Sequence, residues 1–233
     1  MNCIITGASR GLGKALAEKF AANGYHLYCC SRNEGVLQET VNELTSRYPG
    51  ITIRAKAFDL GDKTQARQFG SWILDQGISI DVLVNNAGQF IPGSVNNEED
   101  GALEKMMEVN LYSAYHLTRV VLPAMMAQKK GHIFNICSIA SLQAYPNGGA
   151  YSISKFALAG FSKNLREEMK PHGVKVTAVY AGATYTDSWA GSGIDPHRIM
   201  EAADIADMVY TASRLSPQAT VEDILLRPQL GDL

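Results

Sequence analysis

The chain has 233 residues, 46% of them hydrophobic and 19% charged, with a formal net charge of -2. That is the size and balance of one ordinary globular domain with a sizeable core. It offers no broad electrostatic reason to bind nucleic acid or an anionic membrane. The purely apolar stretches are far shorter than a bilayer span, and no basic leader precedes the first strand-like run. Four cysteines (Cys3, Cys29, Cys30 and Cys137) fall in apolar strand-like runs without metal or Cys-x-x-Cys spacing. They read as buried free thiols, and a reducing cytoplasm is the expected compartment. The five histidines are scattered and give no metal-ligand spacing, so no metal is expected.

Strand and helix patterns alternate along the chain. Asn2–Thr6 is strand-like and Gly11–Asn23 an amphipathic helix stopped by Asn23-Gly24. Tyr25–Ser31 (strand), Glu34–Tyr48 (helix), Ile51–Phe58 (strand) and Asp62–Gln76 (helix) follow, then a strand at Ile80–Val84. After a loop at Gln89–Asn97, helical pattern runs from about Glu98 to Gln128. A break is expected near Asn110, with an irregular far end caused by Pro123. His132–Cys137 is a strand, Tyr151–Met169 a helix and Val174–Tyr180 a strand. A helix at Ala203–Arg214 and a strand at Val221–Leu226 complete the series. Apolar strands alternating with helices predict an α/β fold: a single-domain, Rossmann-type, doubly wound parallel sheet with helices on both faces, spanning 1–233.

Such sheets bind ligands beyond the carboxyl ends of their strands, so the residues following each strand are the candidates. Thr6 to Gly13 joins the first strand to the first helix with the spacing Gly-x-x-x-Gly-x-Gly. Gly7, Gly11 and Gly13 allow a tight turn and close backbone approach to a pyrophosphate. Ser9, Arg10 and Leu12 share that turn, and the helix N-terminus supplies free N–H groups. Ser31-Arg32 ends the second strand without the carboxylate that would hold a ribose 2′-hydroxyl. Arg32, aided by Arg10, instead suits a 2′-phosphate; the alternative is two solvated arginines. Asp59-Leu60 follows the third strand, where Asp59 either meets an adenine amino group or caps a helix, a role Asp62 suits better. Asn85-Asn86-Ala87-Gly88 is either a simple turn or a device that orders backbone against a ribose.

The chemistry is expected at Tyr151-Ser152-Ile153-Ser154-Lys155. Tyr151 and Lys155 lie one helical turn apart on the same face. An ammonium there stabilises the phenolate, lowers the phenol's pKa and makes it a better general acid near neutral pH. Alone the pair is weak, since both residue types are common and an exposed helical pair has the same spacing. Ser138 follows the fifth strand, where its hydroxyl suits donation to a carbonyl oxygen gaining charge; Ser141 competes for that role.

Together, Thr6–Gly13, Asn85–Gly88, Ser138 and Tyr151…Lys155 resemble the short-chain dehydrogenase/reductase family, in order and at its usual spacings, over residues 1 to about 186. The resemblance implies a mechanism. Tyr151 donates the proton; Lys155 lowers its pKa and holds the nicotinamide ribose; Ser138 orients the carbonyl. Asn110 matches the asparagine that positions a relay water. Arg10 and Arg32 resemble the family's NADP(H)-dependent members. Gly182, Thr184 and Thr186 lie on the loop that meets the nicotinamide, and Thr186 matches the threonine touching its carboxamide.

The implied function is NADPH-dependent reduction of a ketone or aldehyde. An NAD-dependent dehydrogenase working oxidatively and a non-catalytic NADPH-binding regulator are the alternatives. Two departures stand out. Ala181-Gly182 replaces the family's Pro-Gly, which is expected to loosen that turn. Leu226 to Asp232 replaces its usual Val-Asp-Gly-Gly. A homodimer through helices near 111–128 and 151–169 is expected, with a tetramer as the other family form. Phe90, Ile91, Leu142, Tyr145, Tyr185 and Trp189 suit a partly apolar small-molecule pocket.

Overall fold

The computed structural model describes residues 1–186, 189 and 193–232. Its first unit is β1 (Asn2–Thr6), whose register neighbours are Cys3 with Leu27 of β2 (His26–Ser31) and with Val82 of β4 (Val82–Asn85). Between these lie α1 (Gly11–Ala22), α2 (Glu34–Arg47), β3 (Ile53–Ala57) and α3 (Lys63–Leu74). The second half contributes α4 (Ala102–Met107), α5 (Ser113–Gln128), β5 (His132–Ile136), α6 (Gly149–Met169) and β6 (Lys175–Ala181). Two short strands follow, β7 (Thr184–Tyr185) and β8 (Met200–Glu201), then α7 (Ala202–Ser213) and β9 (Asp223–Leu226).

All seven expected strands join one parallel sheet in the order β3-β2-β1-β4-β5-β6-β9. The order reverses between β1 and β4, which opens a crevice at their carboxyl ends. Both faces are covered. One core packs Leu16, Phe20, Leu37, Leu44, Ile205 and Val209 of α1, α2 and α7 against the sheet. The other packs Phe69, Ile73, Leu117, Val121, Met125 and Leu165 of α3, α5 and α6. This two-sided burial explains why β1 and β4 read as unbroken apolar runs instead of alternating ones.

The break expected near Asn110 is there, as a π-helical segment, Glu108–Tyr112, inserted between α4 and α5. Two local details depart from the sequence reading. Pro123 does not disturb the far end of α5, because it lies on an exposed face within a helix that continues to Gln128. The strand pair β7–β8 was not anticipated; it pairs Thr184 with Met200 and Tyr185 with Glu201. Two residues per strand carry no readable periodicity.

The four cysteines are buried, as expected. Burial pushes the Cys29 thiol up to about 12 and the Cys137 thiol up to about 11, so neither is a thiolate at neutral pH. Among the described residues, no helix is long and apolar enough to cross a membrane.

Candidate active site

The glycine-rich turn is built by steric necessity. Gly7 and Gly11 adopt φ of 66° and 53°, the left-handed region that suits glycine. A Cβ on Gly13 would lie 2.0 Å from the Gly7 carbonyl oxygen. Thr6 and Asn86 lock this turn to the end of β4. The Thr6 hydroxyl accepts from Asn86 N and Ala87 N, both at 2.9 Å, while Asn86 Nδ2 donates to Thr6 O at 2.9 Å and Gly7 O at 3.2 Å. Asn85 does not share that role. It is buried in the sheet, where its Nδ2 donates to Thr118 Oγ1 and Asn135 Oδ1.

Helix α1 begins with no side-chain cap and no acidic residue in its first turn. Its free N–H groups and dipole therefore face the crevice uncompensated. Ser9 and Ser31 share a hydrogen bond of 2.8 Å, and Thr40 donates to Ser9 O, which ties β1's turn to the end of β2. Arg10 and Arg32 are exposed beside it. Among the described residues, neither side chain makes an ion pair or hydrogen bond. Asp59 Oδ1 accepts from Gly61 N, and Asp62 caps α3 by accepting from Gln65 N. The capping role thus belongs to Asp62. Leu60 is buried in the core, so only its backbone can face a ligand. Leu12 also packs against the core.

At the other end of the crevice, Ser138 caps a 3₁₀ turn, Ile139–Ser141. The two candidate serines separate here: Ser141 is buried, with its hydroxyl accepting from Ser138 N. Ser138 Oγ accepts from Ala140 N at 3.1 Å and interacts with the Tyr151 phenol. Lys155 is buried and its Nζ donates to Ile136 O at 2.8 Å, 5.8 Å from the centre of the Tyr151 ring.

The electrostatics differ from the simple expectation for this pair. Burial raises the Tyr151 pKa above its ordinary value, and the hydrogen bond with Ser138 acts in the opposite direction. Burial also pulls Lys155 down to about 8. Desolvation penalises both charged forms, so the expected lowering of the phenol by the ammonium does not dominate. The phenol is a protonated donor at neutral pH.

Asn110 sits in the π segment and is 1% exposed. Its Oδ1 accepts from Gln89 N at 2.7 Å, and its Nδ2 donates to Gln89 O at 3.0 Å and Ser154 Oγ at 2.9 Å. A Cβ on Gly88 would lie 3.2 Å from Asn110 Oδ1 and 3.6 Å from Lys155 Nζ. The four residues Asn110, Ser138, Tyr151 and Lys155 therefore converge on one end of the crevice.

The loop after β6 is held from behind. Gly182 N donates to Leu226 O at 2.9 Å, and Thr184 Oγ1 donates to Gly182 O. A Cβ on Gly182 would meet Asp232 Oδ1 at 3.0 Å and Pro228 Cδ at 3.1 Å. Arg198 donates to the carbonyls of Leu230, Gly231 and Asp232. The segment 226–232, the same stretch that departs from the family's usual ending, thus packs behind Gly182, next to Ala181. Thr186 returns to the glycine turn, its Cβ 3.2 Å from where a Gly11 Cβ would stand.

Three contributors carried no readable sequence signal. Glu98 Oε2 accepts from Ala150 N at 3.0 Å, at the start of α6. Gly93 N donates to Asn147 O, and Ser94 Oγ to Asn147 Oδ1, both at 3.1 Å. Ser154 joins Asn110 to the Tyr151 carbonyl, to which its hydroxyl donates at 2.7 Å. All three are loop or helix contacts between segments distant in sequence. Among the described residues, no group of three or more His, Cys, Asp or Glu is placed to hold a metal.

A parallel sheet reversing at β1/β4, a glycine turn on the first helix and a Ser-Tyr-Lys cluster after β5 define a dinucleotide-dependent oxidoreductase architecture. The chain belongs to the short chain dehydrogenase family, whose model matches residues 2–195. It is 31% identical to a sepiapterin reductase of Chlorobaculum tepidum, with 99% of this chain and 97% of that protein covered. A metagenomic short-chain oxidoreductase solved in complex with NADP superposes with a TM-score of 0.84, at 31% identity over 98% of this chain and 97% of that one. An alcohol dehydrogenase from Thermococcus sibiricus, complexed with 5-hydroxy-NADP, gives a TM-score of 0.89 at 26% identity, over 98% and 96% of the two chains.

Proposed function

We propose that this protein is an NADPH-dependent carbonyl reductase in which Tyr151 protonates the substrate oxygen. The observation that carries the reading is the convergence of Ser138, Tyr151, Lys155 and Asn110 at the crevice end opposite two unpaired arginines. The residues present fit the cofactor. The Gly7–Gly13 turn has no room for a side chain at Gly13, and Ser9, Arg10, Gly11 and Leu12 line the same turn. Ser31, Arg10 and Arg32 would hold the adenosine end with its 2′-phosphate, and Asp59 and Leu60 would flank the adenine. Asn86, Ala87 and Gly88 would support the central part. Tyr151 and Lys155 would hold the nicotinamide ribose, and Gly182, Thr184 and Thr186 the carboxamide. NADPH supplies the hydride when bound.

The chain's own residues do the rest. Ser138 hydrogen-bonds the carbonyl oxygen as its negative charge grows. Tyr151, kept protonated by burial, delivers its proton to that oxygen. Lys155 supplies the positive charge that stabilises the phenolate left behind. Asn110 acts as a fixed anchor for the backbone at Gln89 and, through Ser154, for α6.

Exposed apolar residues on α5 and α6, including Tyr115, Ile153 and Phe156, support a homodimer through these two helices.

Parallel titrations with NADPH and NADH, on the wild type and Arg32→Ala, test the cofactor reading. A preference for NADPH of about tenfold or more, lost in the variant, is expected. Equal or tighter binding of NADH would contradict it and favour an NAD-dependent oxidative dehydrogenase.

A further inference from the structure

Two segments meet Tyr151 from the substrate side, 89–101 after β4 through Phe90 and 138–150 after β5 through Ser138; residues 182–197 follow β6 in the sequence. None contains a lysine or an arginine. The first two are stitched into one wall by Gly93 and Ser94 on Asn147 and by Glu98 on Ala150. That wall presents apolar surface. Phe90 packs edge-on against Tyr151 with ring centres 4.9 Å apart, yet remains 52% exposed. Leu142 and Tyr145 are 47% and 41% exposed. Tyr145 packs at the start of α6, where a Cβ on Gly148 would lie 3.2 Å from its ring, and ionisation of Tyr151 would raise its own phenol further.

Lys155 serves the Tyr151 phenol, and its Nζ is held on the sheet by donating to Ile136 O. Arg198 is spent on the carbonyls of residues 230–232, and Arg227 pairs with Asp232. The charges within 89–101 are all carboxylates, Glu98, Glu99 and Asp100, and Glu98, bonded to Ala150 N, stitches the wall together; such charge repels an anion. A substrate carboxylate laid on this wall would lose water without gaining an ionic partner among the described residues of 89–101 and 138–150, a costly exchange. An aryl or alkyl arm would gain contact with Phe90, Leu142 and Tyr145.

Resting on the reductase reading, we propose that the substrate class is uncharged carbonyl compounds with an aromatic or alkyl arm, and that the cleft rejects their carboxylate counterparts.

The test compares matched pairs: ethyl benzoylformate with benzoylformate, and ethyl acetoacetate with acetoacetate, each at saturating NADPH. The expected kcat/KM for each ester exceeds that of its acid by about tenfold or more. Leu142→Arg, which places a cation on the wall away from the reacting groups, should narrow that ratio while NADPH binding stays unchanged. Acids reduced as well as esters would overturn the selectivity and leave the reductase reading standing. A ratio unmoved by Leu142→Arg, in protein that still binds NADPH, would overturn the charge explanation. Tight NADPH binding with no reduction of either member of either pair would overturn the reductase reading and this inference with it.

Discussion

Asn110 Nδ2 donates to Ser154 Oγ at 2.9 Å, and Ser154 in turn donates to the Tyr151 carbonyl. The π segment that breaks the long helical region thus grips the helix carrying the proposed acid. The same amide pins both backbone polar groups of Gln89, at the start of the Phe90 wall.

Asn110→Ala should therefore act at two places. It leaves buried groups of Gln89 and Ser154 without partners, at an expected cost of about 2–4 kcal/mol in unfolding free energy. Carbonyl reduction should fall by about tenfold or more through misplacement of α6. Denaturant melts and steady-state kinetics on the same preparation check both. Unchanged kinetics would remove Asn110 from the site.

Lys155 sets a pH signature. Its pKa falls from 10.5 to about 8 in the folded chain because burial disfavours the ammonium. Below pH 8 both folded and unfolded chains carry the proton, and the cost of burying it is fully present. Between about 8 and 10.5 the unfolded chain binds more protons, so this group's contribution makes stability rise with pH. The span corresponds to roughly 3 kcal/mol. Lys155→Met should lack that rise and be more stable than wild type at pH 7 by about 1–2 kcal/mol, after losing the bond to Ile136 O. It should also lose nearly all reductase activity. In the wild type, kcat/KM for reduction should decline as pH rises through about 8. A stable variant with full activity would contradict the role given to this lysine.

Glu98 holds the N-terminus of α6 from another segment, where its charge also complements the helix dipole. Glu98→Ala should cost about 1–2 kcal/mol of stability. Glu98→Gln keeps an acceptor for Ala150 N and should recover most of that loss. Thermal melts of the two variants decide it; equal losses would mean the charge, and not the hydrogen bond, carries the effect.

The fold was legible because its signals are local and repeated. β1 and β4 carry the apolar runs Cys3-Ile4-Ile5 and Val82-Leu83-Val84, and Asn23-Gly24 and Pro49-Gly50 punctuate the chain where helices end. Gly7–Gly13, Ser31-Arg32, Asp59-Leu60, Asn86–Gly88 and Ser138 stood out because each follows a strand, where ligands bind in such sheets; Tyr151 and Lys155 stood out by helical spacing, and Asn110 by the family resemblance. Glu98, Asn147 and Ser154 were not legible, since their roles depend on which loops meet in space. The support behind Gly182 was invisible for the same reason: Ala181 reads as a missing proline, while the brace lies about 45 residues further on, in the turn after β9. The Tyr151–Lys155 spacing gave their shared face correctly but not their burial, and burial reversed the expected direction of the phenol's shift.

The most direct test of the account is the turnover of ethyl benzoylformate with NADPH by Tyr151→Phe, measured alongside NADPH affinity. The phenyl ring keeps the packing against Phe90 and removes only the proton donor. A fall in kcat of about a hundredfold or more, with NADPH affinity within about threefold of wild type, is the predicted result. Full activity in Tyr151→Phe would contradict the account at its centre, because no proton would then need to come from this residue.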